Sequence, residues 1–309
     1  MKLIKPLHID FIGLRYKCFL IPVILFAVLL GAYIYRGGPN YGIDFVGGIM
    51  VQVSFEQPVK MEDVRKVLED NNIVSPELQS SDNLLIIRAK TGVIAQDEFE
   101  QILQNAVAAN FPNNKMTIEK MEFVGPSVGE YLSKQAIYAF LFAFLGIIVY
   151  VAFRFKSGIW GLAAIIGLIN DVLLSIGFVV LTNKEVDITV IAALLTVAGY
   201  SINDTIVLFD RMRENIRLNM KMDFGSIINK SINAVLLRTV ITSATVFIVG
   251  TSLFFLGGEV IHTFAYVMII GTVLGAFSSI FICAPIVYEW EIRRKRRMQL
   301  SKQVPTKRK

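Results

Sequence analysis

The chain has 309 residues, of which 54% are hydrophobic and 18% are charged, and its formal net charge is +6. A soluble globular domain of this length carries more charged residues and fewer apolar ones, because its surface has to be covered by polar groups. The composition therefore excludes a soluble protein and indicates a chain that lies largely within a membrane.

Six stretches are long and apolar enough to cross a bilayer, which takes about 20 mostly apolar residues for about 30 Å of hydrocarbon. In chain order they are Cys18–Tyr35, Ala136–Phe153, Gly158–Leu181, Ile188–Phe209, Ile232–Leu256 and His262–Tyr288. The first stretch follows basic residues, as the apolar part of a cleaved signal peptide does, but no small-residue cleavage site closes it. We therefore expect an uncleaved membrane anchor at this position.

The polar stretch between the first two apolar segments, Arg36–Gln135, is long enough for one small domain. Its predicted elements are a strand at Ile49–Phe55, a helix at Val59–Asn71, a weak strand around Ile73–Gln79, a strand at Leu84–Ala89, a helix at Gln96–Asn110 and a strand at Met116–Val124. The order β-α-β-β-α-β is that of the split, ferredoxin-like unit. The stretch has no cluster of nucleophile, base and oxyanion donors, so we expect a binding or mechanical module.

Lysine and arginine concentrate on one side of the predicted helices. They precede the first helix, follow the last, and occupy Arg154–Lys156 and Arg211–Lys230, whereas the hairpins Asn183–Asp187 and Gly257–Glu259 hold only Lys184. Because basic loops stay in the cytoplasm, we expect both termini to be cytoplasmic and the polar domain to lie outside. This asymmetry accounts for the positive net charge, so we expect no nucleic-acid binding.

The predicted organisation has five parts, ordered along the chain. They are a cytoplasmic N-terminus (1–17), a first transmembrane helix (18–35), a periplasmic α+β domain (36–135), a bundle of five transmembrane helices (136–288) and a basic cytoplasmic tail (289–309). Cys18 and Cys283 lie in or beside apolar segments and are predicted to be small buried hydrophobic residues. The sequence has no cluster of Cys and His residues, and His8 and His262 are far apart, so we expect neither a metal site nor a disulfide between the two cysteines.

Three ionisable residues, Asp171, Asp204 and Arg238, fall inside the predicted membrane helices, where such groups are costly and are functional candidates. Asp204 and Arg238 each lie about six residues, or roughly 9 Å, from the same face of the membrane, which predicts a pair between the fourth and fifth helices. Polar neighbours on the two helices indicate a hydrated path. They are Tyr200, Ser201, Asn203, Thr205, Thr239, Thr242, Ser243 and Thr245.

A buried carboxylate beside a cation can take up and release a proton, because desolvation favours its protonated form and the cation favours its ionised form. Asp204 and Arg238 are therefore predicted to couple proton movement, and the alternative is that they only hold two helices together. Asp171 could support the same proton path or form a hydrogen bond across a helix contact, and we favour the second. Gly271, Gly275 and Ser279 form a small-residue stripe that suits close helix packing.

Five short elements occur in order over nearly the whole chain. They are Gly42–Gly48 (GIDFVGG), Val124–Gly129 (VGPSVG), Gly199–Asn215 with GYSINDT and FDRMREN, Arg238–Ser243 (RTVITS) and Phe277–Ile280 (FSSI). Together they resemble the signature elements of the SecD/SecF family of protein-export membrane proteins, which belongs to the RND superfamily.

The resemblance implies a multi-pass α-helical protein of the bacterial inner membrane, with half the helices of an RND transporter and a ferredoxin-like periplasmic domain. It also implies a subunit that works with SecD beside the SecYEG channel and uses the proton motive force to promote translocation of unfolded preproteins after the ATP-driven step. It places the family's key carboxylate on Asp204 and its key arginine on Arg238, with the proton, or alternatively sodium, as coupling ion and no other cofactor.

The resemblance further implies that Gly42, Asp44, Gly47 and Gly48 form the signature turn of the periplasmic domain. Two other functions remain as alternatives. A half-size RND-type small-molecule exporter subunit would have similar helices, although such exporters usually carry two external domains and twice as many helices in one chain. An intramembrane aspartyl protease using Asp171 and Asp204 would need a Gly-x-Gly-Asp element, whereas this chain has Ser-Ile-Asn-Asp. We therefore expect a transport subunit and not an enzyme.

Overall fold

The structure is a computed structural model that describes residues 9–71, 73, 76–81, 84–89, 96–155 and 157–303. The predicted basic ends and loop therefore lie partly outside the described residues, which do not include 1–8, Lys156 or 304–309. The described chain divides into two units. One holds the residues up to Pro39, Phe140–Lys184 and the residues from Thr189 onward, and the other holds Asn40–Ala139 and Glu185–Ile188.

The described elements place one α+β segment between the first two long helices. In chain order they are α1 (Phe11–Arg36), β1 (Asn40–Tyr41), α2 (Ile43–Val46), β2 (Gly48–Phe55), α3 (Met61–Asp70), β3 (Glu77–Ser81), β4 (Leu84–Ala89), α4 (Gln96–Asn110), β5 (Met116–Val124), α5 (Pro126–Phe155), α6 (Gly158–Leu181), β6 (Glu185–Val186), α7 (Ile188–Leu218), α8 (Phe224–Leu256), α9 (Glu259–Ser278), a π-helical turn (Ser279–Cys283) and α10 (Ala284–Gln303). Over the described residues, six helical segments are long and apolar enough to cross a membrane, with α9, the π turn and α10 forming one of them. The predicted number of membrane helices is confirmed.

Several of these helices extend beyond the apolar stretches that predicted them. α1 begins at Phe11, where the Asp10 side chain caps it by accepting the backbone N–H of Gly13 at 2.9 Å. α8 begins at Phe224 instead of Ile232, and Asp223 caps it in the same way. A capped helix continues through polar residues, because each added residue forms one more backbone hydrogen bond. Hydropathy therefore marks the membrane-crossing part of each helix and not its ends.

In the first unit, the buried membrane segments are α6, α7 and the segment formed by α9, the π turn and α10. At least half of the apolar window is buried in these three (56%, 50% and 61%), against 11% in α1, 6% in α5 and 11% in α8. At one end of the bundle, the ring of Phe209 packs edge to face against Phe155 and Trp160, at centroid distances of 5.4 and 5.0 Å. The apolar faces of α1, α5 and α8 are free to contact lipid or further apolar helices.

In the second unit, a four-stranded antiparallel sheet packs against two helices. The strand order is β3-β4-β2-β5, and the elements follow one another as β-α-β-β-α-β. The core combines fully buried residues of the sheet, such as Val51 and Ile87, with Leu68 of α3 and Phe99 and Leu103 of α4. Phe99 and Leu103 lie four residues apart and therefore share the buried face of α4.

The weak strand predicted around Ile73–Gln79 differs from the structure, in which β3 spans Glu77–Ser81. Ile73 is fully buried, and its backbone N–H donates to the carbonyl of Leu68 at 3.0 Å. The residue therefore closes α3 instead of beginning a strand, and residues 74 and 75 lie outside the described part. The apolar side chain of Ile73 reflects core packing, which a strand pattern in the sequence imitates.

Candidate functional site

Asp204 lies on α7, is only 6% exposed, and accepts hydrogen bonds from two other elements. Its Oδ1 accepts from the hydroxyl of Thr239 on α8 at 3.0 Å, and its Oδ2 accepts from the hydroxyl of Ser279 in the π turn at 3.1 Å. A carboxyl group removed from water needs such donors, because an unsatisfied buried acceptor is costly. Asp204 is therefore a point at which α7, α8 and the π turn are held together.

Arg238 forms no salt bridge with Asp204 among the described residues, which differs from the predicted direct pair. Thr239 faces α7 and is 3% exposed, and neighbouring positions on a helix point about 100° apart. Arg238 is consequently directed to the exposed side of α8. The prediction rested on the equal depth of the two residues, and depth does not determine which way a side chain points.

Asp171 on α6 is fully buried and accepts three hydrogen bonds. Its Oδ2 accepts from the hydroxyls of Ser201 on α7 at 2.5 Å and of Ser278 at the end of α9 at 2.6 Å, and its Oδ1 accepts from the amide of Asn170 at 3.0 Å. The carboxyl group therefore joins three helices. This is the hydrogen bond across a helix contact that the sequence favoured for Asp171.

Ser278 and Ser279 are neighbours in the chain but donate to different carboxyl groups, Asp171 and Asp204 respectively. The helix changes from α to π geometry between them, since α9 ends at Ser278 and the π turn begins at Ser279. Such π turns are frequent at functional sites. The sequence assigned Ser279 to packing and gave Ser278 no role. Two adjacent serines inside an apolar helix are the signal that would have identified both as donors.

Other polar residues predicted for the path lie at varying distances from the carboxyl groups. The hydroxyl of Tyr200 lies 2.8 Å from that of Ser243 and so connects α7 to α8. Asn203 and Thr242 lie on exposed faces, and the Thr242 hydroxyl donates to carbonyl groups of its own helix. The structure therefore gathers Ser201 and Thr239 at the carboxyl groups, and leaves Asn203 and Thr242 outside.

The surroundings of the two carboxyl groups are closely packed. A Cβ atom on Gly167 would lie 2.3 Å from the sulfur of Cys283, and one on Gly275 would lie 3.2 Å from the Cβ of Ser201. Cys283 is fully buried and receives the hydroxyl of Thr205 at 3.9 Å. The helices approach closely enough here that glycine is required, and the described residues contain no group of three or more His, Cys, Asp or Glu side chains placed to hold a metal ion.

The two glycine motifs of the second unit pack against each other, backbone to backbone. Gly47 has a φ of 78°, and a Cβ there would lie 3.2 Å from the carbonyl oxygen of Val124 and from the Cα of Pro126. A Cβ on Gly129 would lie 3.0 Å from the backbone nitrogen of Gly47. Both the positive φ and the close approach favour glycine over any other residue.

Asp44 of the same turn holds the first residue of α7. Its Oδ2 accepts the backbone N–H of Ile188 at 3.1 Å, beside the parallel pairing of β1 with β6. Burial raises the pKa of Asp44 above its usual range, the N–H of Ile188 works against that rise, and the nearby carboxylates of Asp187 and Glu122 add to it. Because the first N–H groups of a helix have no partner within the helix, Asp44 fixes the position at which α7 starts.

Two protein-family models match this chain. The model described as protein export membrane protein SecD/SecF, C-terminal, matches residues 103–293, and the SecD/SecF GG motif matches residues 37–59. The chain is 58% identical over 301 residues to the protein translocase subunit SecF of Endomicrobium trichonymphae, covering 97% of each chain. It is 41% identical over 294 residues to the subunit of the same name from Calditerrivibrio nitroreducens, covering 94% of this chain and 96% of the other.

Solved structures of SecDF are similar to this chain in fold. One is SecDF from Thermus thermophilus, a translocon-associated membrane protein, with a TM-score of 0.84 and 33% identity over 94% of this chain. Another is SecDF in the super-membrane-facing form, with a TM-score of 0.71 and 34% identity over 97% of this chain. The chain spans only 40% and 41% of the lengths of those two chains.

Proposed function

Since this chain belongs to the SecF family of protein translocase subunits, we propose that it uses the proton motive force to promote preprotein translocation across the bacterial inner membrane. It would act with SecD beside the SecYEG channel, on unfolded preproteins, after the ATP-driven step. As a translocase subunit it is a transport component and not a member of a catalytic enzyme family. The observation that carries the proposal is the buried carboxyl group of Asp204, held between hydroxyl groups of α8 and the π turn.

The proposed topology has both termini in the cytoplasm and the second unit in the periplasm. Support comes from the arginines Arg154, Arg211, Arg213 and Arg217, which lie at or beyond one end of the apolar parts of α5 and α7. Basic segments of this kind remain on the cytoplasmic side. The parts of the chain would then be 1–17, 18–35, 36–135, 136–288 and 289–309, as predicted above. The antiparallel strand order of the sheet supports a ferredoxin-like domain in the periplasmic part.

The proposed mechanism rests on what a proton changes at Asp204. In its ionised form, the carboxylate accepts from both Thr239 and Ser279. When it binds a proton, one oxygen becomes a donor, so the hydroxyl group that faces that oxygen has to reorient or move away, while the other oxygen still accepts. The charge of Arg238, one residue from Thr239, favours the ionised form. Helix positions that differ in these contacts bind the proton unequally, and this difference is what a proton gradient needs to drive a conformational change.

We further propose that α7 carries the change along its length. The helix is continuous from Ile188, where Asp44 holds its first N–H, to Asp204 and beyond. The helical path between Ile188 and Asp204 is about 24 Å long at about 1.5 Å per residue. A shift of α7 at Asp204 would therefore reach the first turn of the same helix.

The experiment is translocation of a secretory preprotein into inverted membrane vesicles in which Asp204→Asn is the only copy. ATP is supplied, and the proton gradient is removed with an ionophore in a parallel sample. We expect the variant to keep the ATP-dependent part and to lose the part that responds to the ionophore, while SecD still co-purifies with it. The control is Glu69→Gln, an exposed carboxyl group on α3 that should behave as wild type.

If Asp204→Asn responds to the ionophore as wild type does, the coupling role is refuted and Asp204 only holds helices together. Co-purification tests the proposed partners against those of the half-size exporter, which no structural observation favours. SecD and SecYEG should accompany the chain if it serves the translocase, and a periplasmic adaptor protein should accompany it if it exports small molecules.

A further inference from the structure

A cleft of about 400 Å³ lies where α5 ends and the last turns of α7 extend beyond their apolar part. The residues that line it are Arg154, Asp210, Arg213, Glu214, Arg217 and Leu218. None of them belongs to the site around Asp171 and Asp204. The cleft combines several guanidinium groups with space for a ligand.

Two of these arginines are available for a ligand. Asp210 is already paired with Arg154, and Glu214 is paired with an arginine outside the cleft. Arg213 and Arg217 make no hydrogen bond or ion pair within the part of the chain that the structure describes. Their spacing of four residues places them on the same face of α7. The carboxylates of the cleft are therefore matched, and two guanidinium groups remain to bind an anion.

An exposed apolar strip runs along α5, the helix that carries Arg154. Phe153, beside Arg154, is 81% exposed, and Val149, Leu145 and Phe142 continue the exposed face toward the middle of the helix. Positions three or four residues apart share one helix face, so these side chains form a continuous strip that acyl chains can follow. A free phosphate ion would gain nothing from this strip, whereas a phospholipid would contact both the strip and the cleft.

We propose that the cleft binds the phosphate headgroup of an anionic phospholipid, with Arg213 and Arg217 on the phosphate and the acyl chains along α5. A guanidinium group suits this ligand because its planar arrangement of N–H donors matches two phosphate oxygens at once. Basic clefts between membrane helices are a recurrent type of lipid-headgroup site. The bound lipid would join the end of α5 to α7, the helix that carries Asp204, and this role is independent of the proposed transport function.

The test is thermal unfolding of the full-length chain in mild detergent, with short-chain phosphatidylglycerol, short-chain phosphatidylcholine or inorganic phosphate added at equal concentration. We expect phosphatidylglycerol at saturation to raise the unfolding midpoint by about 3–6 °C, and the other two additives to leave it unchanged. The double variant Arg213→Gln/Arg217→Gln should lose this shift. The matched control Arg296→Gln/Arg297→Gln, which removes two exposed arginines of α10, should keep it.

Equal shifts in the cleft variant and in wild type would overturn the proposal, as would an equal shift with inorganic phosphate, which would make the cleft a site for free anions. A second measurement covers the case in which the glutamine variant does not fold. Arg213→Lys/Arg217→Lys keeps both charges but loses the paired N–H donors, so native mass spectrometry should find at least about threefold less retained phosphatidylglycerol than in wild type. Retention equal to wild type would refute the role of the guanidinium groups.

Discussion

The packing around the two buried carboxyl groups predicts a large difference between two glycine-to-alanine substitutions. A Cβ on Gly167 would lie 2.3 Å from the sulfur of Cys283, whereas a Cβ on Gly199 would meet nothing within 4 Å. To restore ordinary contact in Gly167→Ala, the Cβ and the sulfur must separate by about 1.1 Å, from 2.3 Å to at least 3.4 Å, through movement of α6 from the π turn or of the Cys283 side chain from its rotamer. Overpacking of this kind costs about 1–3 kcal/mol.

Gly199→Ala serves as the matched control, because both residues lie inside membrane helices and both substitutions gain the same helix propensity, about 1 kcal/mol. We therefore expect Gly167→Ala to be less stable than Gly199→Ala by about 1–3 kcal/mol. Thermal unfolding of the two full-length variants and of wild type in the same detergent measures this difference. Adding Cys283→Ala to Gly167→Ala should recover at least part of the lost stability, since it removes the sulfur atom with which the new Cβ clashes.

Equal stability of Gly167→Ala and Gly199→Ala would refute the packing at this point, and with it the close approach of α6 to the π turn. If Cys283→Ala does not restore any of the stability that Gly167→Ala loses, the new Cβ clashes with a different neighbour. The comparison thus tests the geometry that brings Ser278 and Ser279 to their two carboxyl groups.

Two further predictions concern single contacts of the site. Ser278→Ala removes a donor from the fully buried Asp171, so it should lower stability by about 0.6–1.7 kcal/mol in detergent unfolding and leave the response of translocation to the proton gradient intact. Ser279→Ala should weaken that response, because the hydroxyl group of Ser279 contacts Asp204. The reverse pattern of effects would contradict the separate roles of the two carboxyl groups. Asp44→Ala removes the acceptor at the start of α7 and should lower the free energy of opening of the first turn of α7 by about 0.5–2 kcal/mol, which is measured as faster hydrogen exchange there. Unchanged exchange at this turn would show that the contact does not fix the helix start.

The membrane helices were predictable from the sequence because the thickness of the hydrocarbon layer sets the length of each apolar stretch. The helix ends were not, since α7 and α8 continue through polar residues that hydropathy does not register as helical. In the second unit, alternation and helical periodicity located the core, and the strand near Ile73 was misplaced because a buried residue that ends a helix resembles one that begins a strand.

The candidate site was predictable in its residue types but not in its contacts. The cost of an ionisable group in a bilayer identified Asp171, Asp204 and Arg238. Which side chain reaches Asp204 depends on the rotation of α8 about its axis, and that rotation places Thr239 inward and Arg238 outward. The adjacent serines indicate two donors, but which carboxyl group each one reaches depends on the π turn that begins at Ser279. Rotation and register are set by packing between helices, which sequence periodicity describes only in part.

The measurement that tests the central claim most directly is infrared difference spectroscopy of the chain assembled with SecD, recorded as the pH is changed. A carboxyl group that takes up a proton in a buried position gives a carbonyl stretching band that appears as the pH falls. We predict that wild type shows such a band, that Asp204→Asn lacks it, and that the control Glu69→Gln retains it. If Asp204→Asn shows the same band as wild type, the titrating group lies elsewhere and Asp204 does not carry the coupling proton.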